Sequence, residues 1–156
     1  MKKNVYFTIM LLTAFLLLTA GCSQKGHQDR LALIKATNPA PLHISKQDSA
    51  NAVQSIKKDV RSFPEIYDVA VIKGKRTTLI AYKVKHMQRF RMKAIEKRLN
   101  NRLEKKYPNE KFTVSSDYKI FLEVIRLQEK MKNRDISKKQ AEKRMNKIIK
   151  LSEEMT

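Results

Sequence analysis

Few residues of this chain are of the types that do covalent or metal chemistry. Cysteine occurs once, at Cys22, and histidine three times, at His27, His43 and His86. A single cysteine excludes an internal disulfide framework and any cysteine-rich zinc site. The histidines do not fall at helical ligand spacing, so no metal site is visible. His86 stands at a strand-to-helix junction with no partner residue beside it. No GxSxG, HExxH, P-loop or Gly-rich dinucleotide turn occurs. Three glycines leave little material for a loop that cradles phosphate. Glu96 and Glu104 sit among Lys and Arg on one predicted helix and read as surface ion-pair partners, not as a catalytic pair. The expectation is a non-enzymatic protein with no cofactor and no metal.

The chemistry that remains is that of the Cys22 thiol. Lys2 and Lys3 precede an uncharged, mostly apolar run from Val5 to Ala20, which has the length of a long signal core and is marginal for a bilayer span. Thr19-Ala20-Gly21-Cys22 then resembles the bacterial lipobox, Leu-(Ala/Ser)-(Gly/Ala)-Cys. Ala20 and Gly21 match it, and Thr19 stands where Leu is commonest. The resemblance implies transfer of a diacylglyceryl group to Cys22 and cleavage after Gly21. Residues 1–21 are then a signal peptide, and Cys22 begins a mature lipoprotein on the extracytoplasmic face of the cell membrane. The other reading is an uncleaved transmembrane anchor, which also exports the chain. Two acyl chains suffice for stable anchoring.

Charge is the second functional signal. Lys and Arg number 34 against 15 Asp and Glu, a formal net charge of +19, which attracts polyanions. Lys83, Lys85, Arg89, Arg91, Lys93, Lys97, Arg98, Arg102, Lys105 and Lys106 crowd one strand end and one helix and are the candidate polyanion contacts. Any single lysine is most simply a solvated surface group, but solubility alone does not require so lopsided a balance. Export argues against nucleic acid as the routine partner. Anionic membrane lipid, next to the anchor, and anionic wall polymers such as teichoic acid are the candidates.

The elements that position these residues follow from periodicity. Residues 22–44 hold Gly26, Pro39 and Pro41 without sustained periodicity and read as a tether with a reach of roughly 25 Å. A domain is expected over 45–156. Ser45-Lys46-Gln47-Asp48 fits a capping box, and Ala50, Val53, Ile56, Val60 and Phe63 form one apolar stripe ended by Pro64. Ile66 to Ile72 reads as a central strand. Ile80, Tyr82 and Val84 alternate with Ala81, Lys83 and Lys85, which predicts a half-buried strand. Gly74 between them can supply a positive φ. Met92, Ile95, Leu99, Leu103 and Tyr107 predict a helix within 87–107, and "KFTVSS" a third strand. Ser116 or Asp117 caps a helix with Ile120, Phe121, Val124, Ile125 and Met131 on one face. Ser137 opens a capping box for a last helix with Met145, Ile148, Ile149 and Leu151. The expected order is α-β-β-α-β-α-α: an α+β two-layer domain, with a three-stranded, mostly antiparallel sheet and helices on one face.

Within this pattern, Ala50 to Val84 resembles the YhcN/YlaJ family of sporulation lipoproteins. Ala50, Val53, Pro64, Val69, Ala70, Val71, Gly74, Ala81, Tyr82 and Val84 follow the family's run in character and order. Val114, Ser115, Asp117, Ile125 and Leu127 fit the entry to its C-terminal helix. Glu65 departs from the family's Gly, and Asp117 alone is kept of its Asp-Pro-Asp. The resemblance implies a lipid-anchored protein of the spore membrane region, with a structural or interaction role in sporulation, germination or outgrowth. The strand and helix order is also similar to ring-building domains of sporulation and flagellar assemblies, an analogy of topology that raises self-association or docking to a protein partner. The alternative is a basic envelope module for anionic lipid, teichoic acid or another polyanion, not tied to sporulation.

Overall fold

The computed structural model describes residues 39–44 and 49–155. Cys22, the lipobox, the tether up to residue 38, the Ser45–Asp48 capping box and the side chain of Ala50 lie outside the described residues. Within them the elements are β1 (Leu42–His43), α1 (Ser49–Arg61), β2 (Ile66–Lys73), β3 (Thr78–Val84), a 3-10 helix η1 (His86–Arg91), α2 (Met92–Lys106), β4 (Phe112–Ser115), α3 (Tyr118–Lys132) and α4 (Lys138–Glu154).

Local signals explain most of these boundaries. Val53, Ile56 and Val60 form the buried stripe of α1, and Pro64 follows where the helix has ended. The Asp117 side chain accepts from the backbone N–H groups of Lys119 and Ile120 at 2.7 and 3.0 Å, capping α3. Ser137 and Gln140 form the expected capping box at the start of α4.

The α+β class holds, but the expected sheet does not. It has four strands in the order β1-β2-β3-β4. Only β2 and β3 are antiparallel; β1–β2 and β3–β4 are parallel. The reason is connectivity. A helix lies between β1 and β2 and another between β3 and β4, and a helical crossover returns the chain parallel to the strand it left. The two crossover units run in opposite directions, and α1 and α2 lie on the same face of the sheet. They share a core with Val69, Val71, Ile80 and Tyr82.

The other face is covered as well, contrary to the one-sided expectation. Ala70, Ile72, Leu79 and Ala81, which point the opposite way, are also buried. There α3 packs on β2 and β3, and α4 packs on α3. β3 is therefore buried on both faces, not half-buried. Gly74 has no positive φ. Its requirement is closeness instead: a Cβ there would lie 2.9 Å from Met145 Sδ of α4.

The folded part also begins earlier than the expected boundary at residue 45. Leu42 and His43 pair with Ile72 and Lys73. The Ile44 N–H donates to the Lys73 carbonyl at 2.9 Å. The Gln128 side-chain amide of α3 donates to the Ala40 carbonyl at 3.2 Å and the Val71 carbonyl at 3.1 Å. Residues 39–44, read as the end of the tether, are thus docked on the sheet. A two-residue strand directly after Pro41 is too short to show a period.

Candidate functional site

Parallel β3 and β4 end at the same edge of the sheet, and each hands over there to a helix. The space beyond the carboxyl ends of such strands is where open sheets form clefts. Here it is a cleft of about 870 Å³, walled by η1 and α2 on one side and by the β4–α3 connection and the end of α4 on the other. Glu96, Asn100 and Asn101 project from α2, Ser115, Ser116 and Asp117 from the β4–α3 connection, and Arg89, Lys93 and Lys97 from the basic side. Tyr67 and Tyr118 also line it and are 46% and 52% exposed.

Glu96 corrects the sequence reading. Among the described residues it makes no ion pair; the Ser116 hydroxyl donates to its Oε2 at 3.5 Å. Burial raises the Glu96 carboxyl above the usual carboxylate range, against the opposing pull of hydrogen bonding from Ser116 and Tyr82. The Tyr82 hydroxyl lies beside both groups, and burial and the Glu96 charge push it up. It makes no hydrogen bond of ordinary length and angle. The α3 N-terminus at the cleft is already taken by Asp117, so it is not open to an anion. Among the described residues no three His, Cys, Asp or Glu side chains come together as metal ligands.

The ten candidate cations divide in two. Lys83 faces inward: its ammonium pairs with buried Asp68 at 3.0 Å and lies 4.5 Å from the Phe121 ring centre. Its side chain is only 12% exposed, so it does not present its charge to an outside surface. Arg98 pairs with Glu65, and Lys106 pairs with Asp59 at 2.7 Å. Lys85, Arg89, Arg91, Lys93, Lys97, Arg102 and Lys105 are exposed, and among the described residues none of them is in an ion pair. They run along η1 and α2.

The sequence reading missed the exposed apolar side chains in this same stretch. Phe90 is 96% and Met87 79% exposed. The signal was present as "HMQRFR", a segment whose apolar residues do not continue the stripe of α2.

No family model, curated protein or solved structure matches the chain. No helix among the described residues is long and apolar enough to cross a membrane.

Proposed function

We propose that this is an exported, lipid-anchored, non-enzymatic protein of the bacterial envelope, whose domain works by contact with an anionic surface near its anchor. The observation that carries the reading is the run of exposed cations along η1 and α2 that make no ion pair among the described residues. The lipobox at Cys22 supplies the anchor, and each cation close to an anionic leaflet contributes about 1 kcal/mol. The resemblance to sporulation lipoproteins supports a structural or interaction role in the spore, during sporulation, germination or outgrowth. The non-enzymatic part is supported by the cleft's chemistry: the Ser116–Glu96 contact is at the limit of a hydrogen bond, and the Asp117 carboxylate that lines the same cleft is engaged in capping α3.

The anchor is tested by metabolic labelling with a fatty acid. Label that enters the protein and disappears in Cys22→Ala supports lipidation; label that survives the substitution sinks it. The spore role is tested by deletion. Sporulation and germination that proceed normally without the protein would remove it.

The cleft favours a second reading, an envelope module for an anionic wall polymer unconnected with sporulation. Exposed Tyr67 and Tyr118 offer flat faces to sugar rings, beside Asn100, Asn101 and lysines that suit hydroxyls and phosphates. Expression confined to sporulation favours the first reading, and vegetative expression the second.

A further inference from the structure

The connection from β3 to α2 carries its large apolar side chains outward. η1 contains no buried residue, so it contributes nothing to the core. Met87 and Phe90 are three apart in a 3-10 helix, and three residues per turn bring them to the same side. Gln88 turns the other way: its N–H donates to the Lys85 carbonyl at 2.8 Å and its Oε1 is buried. Met87 and Phe90 therefore stand at the tip of the turn, 79% and 96% exposed. Lys85, Arg89, Arg91 and Lys93 flank that tip and are exposed.

We propose that η1 is a membrane-docking tip, with Met87 and Phe90 entering the interfacial layer of an anionic bilayer while the flanking cations engage lipid phosphates. This rests on the reading that the domain is held at a membrane. An apolar tip set among cations is the arrangement that binds an anionic interface, because apolar burial and electrostatic attraction add. A protein partner fits less well. Stable protein interfaces bury about 800 Å² on each side, far more than two side chains on one turn supply. A bilayer needs no complementary pocket.

The chain has no tryptophan, so Phe90→Trp introduces a single reporter at the tip. The full chain with its anchor is reconstituted into phosphatidylcholine vesicles with and without phosphatidylglycerol. A matched protein carries Lys132→Trp at the exposed far end of α3, about 20 Å along the helix from its start. In vesicles containing phosphatidylglycerol, brominated acyl chains are expected to quench the Phe90→Trp indole at least about twofold more than the Lys132→Trp indole. The excess should disappear in phosphatidylcholine alone, at high salt, and when Arg89→Glu and Arg91→Glu are added. Equal quenching at the two positions overturns the proposal. So does a blue-shifted emission at Phe90→Trp that does not respond to lipid, which would mean that a second copy or the chain's own N-terminal segment covers the tip. Failure of fatty-acid labelling at Cys22 is a separate outcome, because an uncleaved apolar segment would also hold the chain in the vesicle.

Discussion

Asp68 and Lys83 face each other across the β2–β3 hairpin, their charges 3.0 Å apart. The pairing depends on a bulge at Tyr67, which breaks the register between Ile66 and Asp68. The Asp68 side chain is fully buried, and a carboxylate taken out of water needs a partner. The rings of Phe121, Tyr67 and Tyr118 surround the ammonium at 4.5, 5.4 and 5.9 Å. This lysine therefore belongs to the core that shapes one wall of the cleft.

Lys83→Met should accordingly destabilise the fold by up to about 3 kcal/mol, since it removes the cation 3.0 Å from a buried carboxylate. Adding Asp68→Asn should recover part of that loss. Urea denaturation of the two proteins and of the original checks both. A cost for Lys83→Met as small as that of an exposed pair would show that the buried charge is satisfied without Lys83.

The α3–α4 turn holds a second defined cost. Arg134 has φ 61°, the left-handed region. Its N–H donates to the Met131 carbonyl at 3.2 Å, and the Asp135 N–H donates to the Lys130 carbonyl at 2.9 Å. These two bonds make a Schellman motif with arginine at the position that favours glycine. Arg134→Gly should stabilise the protein by about 1 kcal/mol, visible as a higher melting temperature. An unchanged or lower value would mean that the arginine side chain offsets its backbone strain.

Glu96 sets a pH dependence. Its folded-state pKa is raised, chiefly by burial, so between the unfolded and folded values the native state binds more protons than the unfolded chain. Its contribution is fully present below the unfolded value, about 4.3, and is lost as pH rises through the folded value. Glu96→Gln should flatten this part of the stability curve and raise stability at neutral pH relative to the original. Asp59 acts in the opposite sense. Burial alone would raise its carboxyl, but hydrogen bonds from Lys106 and Tyr107 and nearby cations hold it below the usual range. Its contribution is present above the ordinary aspartate value and is lost as pH falls through the depressed one. An NMR titration of the two carboxyl carbons should find Glu96 above and Asp59 below their ordinary midpoints.

What was legible in the sequence is what is local. The stripe Val53, Ile56 and Val60, the Asp117 cap and the Ser137 capping box each lie within a turn or two of helix, where periodicity and caps act. The sharing of one face by Ile80, Tyr82 and Val84 was legible for the same reason. The strand directions were misread because they depend on crossovers joining residues far apart in the chain. Charge could be counted but not assigned: Lys83 and Arg91 look alike in the sequence, and only the bulge at Tyr67 puts Asp68 against the first. Glu96, among basic residues on its own helix, gave no sign that Ser116 and Tyr82 would enclose it. Met87 and Phe90 read as part of a helix because hydrophobicity by itself does not say which way a side chain faces.

Gln128 offers a test of how the domain is joined to the segment before it. Its amide donates to the Ala40 and Val71 carbonyls, extending the β1–β2 contact beyond the two residues of the strand, and its side chain is buried. Gln128→Leu keeps the bulk of the side chain but leaves both carbonyls without that donor, a loss of about 1–3 kcal/mol. The effect should be local. β1 is a two-residue edge strand that also rests on α1, whose Lys57 ammonium donates to the Pro39 carbonyl, whereas β2 and β3 are held by seven paired positions. Hydrogen exchange should therefore quicken at the Ile44 amide, which donates to the Lys73 carbonyl, while the Val69, Val71 and Ile80 amides keep their protection. Uniform loss of protection across the sheet would instead show that β1 and the β2–β3 hairpin open as one unit, with Gln128 serving the whole sheet and not its first strand alone.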